Sequence, residues 1–462
     1  MCCSDRQRKT LALLLALSLI RGILYSAVTP PWQAPDEPDH FQYIAFLVRY
    51  HRFPTRQDVA AEEWLQTQVY ASMQEFGFWA RRAHAPSPKV LEEEYRAAVG
   101  HPPLYYLFGA LLLAPFSRCD LVTQLHVLRL WSVLLGTLTV LVAYLTAKAL
   151  FPEDASWQLA IPAFIVFLPM HTSITGSVNN DSLAELLGSL VIYSLLRILR
   201  GGLSWQRVMS VACLLVSGLL TKRTTTFTIP LVALTISLCC LRKSPKLSPT
   251  DEAPHYPLRW LRPRYIWLLI VSAIGLGLWA LTLKSQFIIR HPPFAIRYFH
   301  LLLEPQRYTP SALKAYALFS LLTFASFWAD FGWMNVPLDL TWYAALAAFS
   351  LLALCGLGLF AIQVVRGTET LKTWQRRALL MLLLAVALIF TQTFGLMIIQ
   401  GIPQQGRYLF PALIPLTLLF TLGLWQWIPT RHRGVFPLAL VLGMFVLDSI
   451  SLCCYIVPHF YG

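Results

Sequence analysis

The chain has 462 residues, of which 56% are hydrophobic and only 13% charged, with a mean hydropathy of +0.56. A soluble protein of this size would carry about twice that charged fraction, so a water-soluble globular fold is excluded. The net charge of +14 does not imply nucleic acid: no soluble segment carries a basic patch with interleaved aromatics, and most Lys and Arg flank apolar stretches, the rest lying in the first polar loop.

In chain order, the first apolar stretch covers 10–29, behind Arg6, Arg8 and Lys9, and no small-residue cleavage site follows it. It reads as a retained transmembrane helix with a cytoplasmic N-terminus, not a cleaved signal peptide. Residues 30–102 then form a large, mostly polar external loop. Its opening run, Ala34-Pro35-Asp36-Glu37-Pro38-Asp39-His40-Phe41, predicts a helix from Asp36 to about Tyr50. Asp36 would be its N-cap and Pro38 would fall in its first turn. Phe41, Ile44, Ala45 and Val48 form a stripe suited to lying on the membrane surface, which makes this an interfacial helix.

Further apolar segments are placed at about 125–149, 157–175, 181–199, 205–221, 224–241, 265–286, 338–365, 378–400, 405–428 and 434–457. About 18 such residues suffice to cross roughly 30 Å of hydrocarbon as a helix. Two shorter pieces, 103–117 and 312–328, either span or dip in. If both dip, Lys148, the Arg197/Arg200/Arg207 group, the Pro- and Lys/Arg-rich loop 242–264, the Arg366 to Arg377 loop and Arg431/Arg433 all fall on the cytoplasmic side, as the positive-inside rule requires. The expectation is an all-α polytopic membrane protein forming a single integral membrane domain. It has about eleven transmembrane helices, or up to thirteen if both short segments span. Helices occupy 103–241, a cytoplasmic loop covers 242–264, and C-terminal transmembrane helices fill 265–462. None of the nine cysteines shows the spacing of a zinc or redox site, and Cys2 and Cys3 read as small hydrophobes at a helix start, with attachment of an acyl chain as the alternative.

That layout leaves polar residues at external turns: Asn179, Asn180 and Asp181; Lys222 and Arg223; Gln404, Gln405, Gly406 and Arg407. Cations in short external loops are disfavoured as topology signals and call for another role. In a compact bundle these residues would converge with Asp36 and Glu37 on one external mouth. Carboxylates facing cations at a membrane surface suit a lipid-linked phosphate reacting with an external acceptor.

Each residue also has a purely structural reading. Asp36 could be only a helix cap and Glu37 only a first-turn acid. His40, one turn from Asp36, could orient it, touch substrate or simply be an interfacial imidazole. His101 closes the loop or meets substrate. Asp181 could cap the helix 181–199, with Asn179 and Asn180 forming the turn. Lys222 and Arg223 are adjacent and point to different faces, so one of them, preferably Lys222, would meet a donor; both could instead snorkel to head groups. Arg407 and Tyr408 stand at a helix start, where backbone N–H groups and a guanidinium together make a phosphate site. Phe327, Trp328, Phe331 and Trp333 read as an interfacial aromatic belt, with sugar stacking as the alternative. Asp36, Glu37, Asp39, His40 and Asp181 could assemble a hard, oxygen-rich metal site, but no spacing fixes one, and no cofactor is firmly implied.

Five runs in order, PDEPDHF at 35–41, HPPLYY at 101–106, VNNDSL at 178–183, SFWADFGWMN at 326–335 and QGRYLFP at 405–411, resemble a family of bacterial predicted membrane proteins with a P-x-D-E-P-x-H-F first-loop signature. That family is similar to the GT-C glycosyltransferase superfamily, which includes protein O-mannosyltransferases and lipid A aminoarabinose transferases. The resemblance implies inverting transfer of a sugar from a polyprenyl-phosphate donor on the external, periplasmic face of a bacterial inner membrane. The base would be an acid of the first external loop, here Asp36 or Glu37, with a second acidic site at Asp181. Lys222, Arg223 and Arg407 would hold the donor phosphate. The sugar and the acceptor, whether lipid, glycan or protein, do not carry over.

The chemistry is consistent with these residues. A carboxylate within about 3 Å can take the acceptor's proton. The leaving phosphate needs positive charge more than a general acid, unlike the alkoxide of a glycosidase. A helix N-terminus favours ionised Asp36 but lowers its basicity, which keeps Glu37 in contention. Two rivals stand beside this reading: a polysaccharide ligase or polymerase with a diphosphate-linked donor, and a lipid or sugar transporter (flippase). A transporter would place charges near the bilayer midplane and show related halves, whereas the suspicious polar residues gather at one set of helix ends.

Overall fold

The computed structural model describes residues 5–61, 63–80, 87–240, 304–368 and 371–462. The expected helix at 265–286 and the loop at 242–264 lie outside the described residues. Helix α1 (Asp5–Val28) leads into a layer of shorter helices, α2 (Glu37–Tyr50), α3 (Arg56–Ala61), α4 (Glu63–Glu75), α5 (Pro88–Ala98) and α6 (Leu104–Leu113). Then come α7 (Leu121–Leu150), α8 (Ala155–Val166), α9 (Pro169–Thr175), α10 (Asp181–Gly201), α11 (Trp205–Leu219) and α12 (Thr228–Cys240). After them follow α13 (Pro310–Trp328), α14 (Leu340–Arg366), α15 (Thr373–Gln400), α16 (Leu413–Trp425) and α17 (Phe436–Ile450). The chain is an all-α polytopic membrane protein, its only described strands being a two-residue antiparallel pair at 330–331 and 336–337.

Among the described residues eight helices are long and apolar enough to cross a membrane, or nine if α8 and α9 form one broken span. Those two meet at 62°, because Pro169 has no N–H to continue the ladder and pushes the residue before it out of the helical region. The expected unbroken span at 157–175 is corrected accordingly. Likewise 205–221 emerges as a helix of 15 residues, and 224–241 opens on a 3-10 turn from Arg223 to Phe227, with its α-helix described from Thr228 to Cys240. The short segment 312–328 becomes a 19-residue helix, long and apolar enough to cross a membrane rather than dip. By contrast Leu104–Phe116 reaches only about 20 Å and cannot cross alone.

The core forms where α10 packs on α7 and α11, α1 on α7, and α14 on α16. The last pair approaches backbone to backbone, since a Cβ on Gly356 would stand 1.9 Å from the Gly423 carbonyl oxygen. Small residues permit such contacts where the bilayer supplies no hydrophobic drive between helices. Helix α2 is not an interfacial helix with a free polar face. Glu37, Asp39, His40 and Gln42 are buried along with Phe41 and Ile44, because α4, α5 and α6 pack over it. The outward face falls to α6 instead, with Leu107, Phe108, Leu111 and Leu112 exposed. The aromatic run at 327–333 also departs from a lipid-facing belt: Trp328 and Phe331 are buried, and Trp333 Nε1 donates to the Trp32 carbonyl at 3.3 Å.

Charged pairs also lie within the apolar helices. Arg21 of α1 pairs with Asp448 of α17, which accepts from Tyr25 at 2.9 Å. His171 Nε2 lies 3.1 Å from Glu185 Oε1. Polar residues are therefore not confined to one set of helix ends.

Candidate active site

Two adjacent carboxylates at the start of α2 have opposite surroundings. Glu37 is fully buried and accepts from Trp32 N at 3.2 Å, Val178 N at 3.1 Å, Arg129 Nε at 2.8 Å and Arg129 Nη2 at 2.6 Å. A carboxylate has about four lone-pair sites, and four donors fill them. Arg129 spends its remaining donors on the carbonyls of Ser26 at 2.8 Å, Thr29 at 2.7 Å and Pro30 at 3.1 Å. This clamp joins the end of α1, the start of α2, the first third of α7 and the turn before α10. Glu37 as a candidate base is corrected by this geometry: it has no lone pair left for a substrate proton.

Asp36 occupies the N-cap position of α2 with φ 59°, in the left-handed region, and its side chain makes no capping bond. Asp tolerates that conformation better than most residues, and the anchored Glu37 holds it there. Its carboxylate, 38% exposed, turns to the Arg407 guanidinium. Arg407 is fully buried, with Nε 3.6 Å from Asp181 Oδ2. Lys222 Nζ reaches Asp181 Oδ1 at 2.6 Å. Asp36, Arg407, Asp181 and Lys222 thus form a row of alternating charge, drawn from four separate stretches of chain. Tyr408 lies beneath both cations, its ring centroid 5.2 Å from Lys222 Nζ and 5.6 Å from the Arg407 guanidinium carbon. Arg223 is exposed while Lys222 is largely covered. Asp181 does not cap α10. Asn180 holds the N-cap position without a capping bond, and Asn179 Oδ1 takes the Asp181 N–H at 2.9 Å.

Arg407 is seated by a close contact. Gly406 N donates to Ser326 Oγ at 2.8 Å, Thr323 Oγ1 donates to the Gln404 carbonyl at 2.7 Å, and a Cβ on Gly406 would lie 2.2 Å from Phe327 N. A backbone atom cannot yield as a flexible side chain can. Gly406→Ala is therefore expected to destabilise the protein by about 1–3 kcal/mol through overpacking, read as a lowered melting temperature in detergent. An unchanged melt would show that α13 moves aside freely.

Beside the row is an uncharged polar cluster. The Tyr106 hydroxyl meets His40 Nδ1 at 2.8 Å, His101 Nδ1 at 3.0 Å and Asn180 Nδ2 at 3.4 Å. Burial pushes His40 well below the usual imidazole range, with His101 and the nearby cations adding to it against Asp36. Burial, then Lys222, lowers His101 to about 4 despite Asp36. Both rings are thus neutral at pH 7. For Asp36, burial favours the protonated acid, but the Arg407 and Lys222 cations outweigh it and bring the carboxyl down to about 2. Burial lowers Lys222 below the ordinary lysine value against the pull of Asp181. Among the described residues no group of three or more His, Cys, Asp and Glu is placed to share a metal ion.

Arg129 is the site's main omission from the sequence reading, although a lone arginine inside an apolar segment is a signal in its own right. Tyr106 was visible only as part of a motif.

A profile of a family described as predicted membrane protein (DUF2142) matches residues 19–416. No curated protein matches the chain. Among solved structures, the chain is similar to ArnT from Cupriavidus metallidurans, crystallised with undecaprenyl phosphate, with a TM-score of 0.48 and 13% identity over 97% of this chain and 73% of that one.

Proposed function

The chain belongs to the DUF2142 family of predicted membrane proteins, and we propose that it is a membrane glycosyltransferase of the GT-C type. In this reading it moves a sugar, with inversion, from a polyprenyl-phosphate donor to an acceptor on the external face, with its N-terminus cytoplasmic. The observation that carries the reading is the alternating row of Asp36, Arg407, Asp181 and Lys222 beside a cluster of neutral hydrogen-bonding groups. The five motif runs support it.

Arg407 and Lys222 hold the donor phosphate, which leaves as an anion stabilised by their charge. Tyr408 shapes the floor beneath them. Asp36 takes the acceptor's proton, because Glu37 is committed to Arg129. A carboxylate paired this strongly is a weak base until its cation is engaged elsewhere. The incoming phosphate supplies that engagement: by sharing Arg407 it loosens the hold on Asp36 and raises its basicity at the moment the donor is bound. Asp181 keeps both cations charged and in place.

The test is transfer in proteoliposomes supplied with a labelled polyprenyl-phosphate sugar. Arg407→Ala is expected to weaken donor binding on the order of 100-fold, as loss of a buried charge-assisted contact does. Unchanged affinity would remove Arg407 from the phosphate site. Consumption of a diphosphate-linked donor alone would replace this reading with a ligase or polymerase.

A further inference from the structure

One phenol joins three side chains that the charged row leaves aside. Tyr106 is fixed in the first turn of α6, where Leu104 N donates to the Leu220 carbonyl at 2.9 Å, and Tyr43 stacks on its ring with centroids 3.8 Å apart. Its oxygen contacts His40 Nδ1, His101 Nδ1 and Asn180 Nδ2. A phenol has one proton and two lone pairs. An amide NH2 can only donate, so Asn180 occupies one lone pair, leaving one lone pair and one proton for two imidazoles. The imidazole that donates through Nδ1 has a bare Nε2. The one that accepts the phenol proton at Nδ1 carries its own proton on Nε2. Among the described residues neither Nε2 makes a hydrogen bond.

We propose that Tyr106 fixes His40 and His101 in opposite tautomers, and that the resulting Nε2–H donor and bare Nε2 acceptor form a subsite for neighbouring hydroxyls on the donor's neutral sugar ring. The two rings are neighbours, with centroids 5.8 Å apart, so one sugar ring is large enough to meet both. A hydroxyl both donates and accepts and so satisfies either nitrogen, whereas a phosphate oxygen only accepts and would be refused by the bare one. The charged row and the neutral cluster thus sort the donor: phosphate to Arg407 and Lys222, polyol to the imidazoles. This rests on the glycosyltransferase reading for its ligand, and Tyr106 acts as a positioning residue.

Two measurements test it. In the first, 15N-histidine-labelled protein in lipid nanodiscs, with signals assigned through His40→Gln and His101→Gln, should show one Nδ1–H and one Nε2–H ring, and Tyr106→Phe should abolish that pairing while Tyr43 stacking keeps the ring seated. Identical tautomers, or a cationic ring at pH 7, would overturn the proposal without any donor being present. In the second, Tyr106→Phe should weaken binding of a hexosyl polyprenyl phosphate about tenfold, the scale of one or two hydroxyl contacts, and leave bare polyprenyl phosphate unaffected. Equal loss for both lipids would overturn the sugar subsite. Wild-type protein that binds neither lipid fails the parent reading and the subsite with it, while the tautomer result stands separately.

Discussion

Arg129→Ala is expected to cost about 3–5 kcal/mol of stability, the range for removing one partner of a buried ion pair. The loss has two parts. Glu37 would be left as a fully buried carboxylate with only the Trp32 and Val178 N–H groups as donors, and the carbonyls of Ser26, Thr29 and Pro30 would lose the guanidinium they share. Lysine cannot substitute, since three donors on one nitrogen cannot reproduce a planar fork with five. Thermal unfolding in nanodiscs reads the effect, and a melt within error of wild type would show that the clamp carries no stability. Arg129→Met combined with Glu37→Met separates fold from function. Removing both charges should recover only the share of the loss due to the unpaired carboxylate, since the Ser26, Thr29 and Pro30 carbonyls stay without their donor, and should leave transfer impaired, because Asp36 and the turn before Asp181 lose the clamp that aligns them.

The membrane class was legible from composition, and the shared helix ends of residues 36, 181 and 222 from charge parity along the chain, because both are properties of sequence order. Parity added Arg407 only by taking 312–328 to dip, whereas that segment is a helix long enough to span, so the meeting of Arg407 with Asp36 is a tertiary contact. What lay beyond reach depended on tertiary contact. Periodicity put a polar face on α2 but could not show α5 and α6, which lie far along the chain, covering it. Asp36 and Glu37 are neighbours with near-identical chemistry, and only Arg129, on a distant helix, separates them. The break between α8 and α9 was signalled by Pro169 in the sequence, but a hydropathy window passes over a single proline. The Tyr106 cluster needs three segments brought to one oxygen, which no local pattern encodes.

Asp36→Asn is expected to lower the transfer rate by about 10²–10⁴-fold, the usual contribution of a positioned base, with little change in melting temperature because the amide keeps its shape and an oxygen for Arg407. The pH profile carries the sharper expectation. Without donor, Asp36 titrates near 2 instead of the usual 3.8, so it stays ionised at every working pH and protonates only as pH falls through that low value. On this ground kcat/KM, which reports the free site, has no acid limb from Asp36 above roughly pH 4. Once donor phosphate shares Arg407 the depression relaxes, so the acid limb of kcat should lie at higher pH than that of kcat/KM. Coincident limbs would mean that Arg407 keeps its hold on Asp36 throughout turnover. On the alkaline side Lys222, lowered by burial, loses its charge as pH rises through a value below that of an ordinary lysine. Donor binding should weaken there, and Lys222→Arg should abolish that limb because a guanidinium does not deprotonate in this range. Transfer retained by Asp36→Asn would move the proton elsewhere, and the next carboxylate along the row is Asp181, already engaged by two cations.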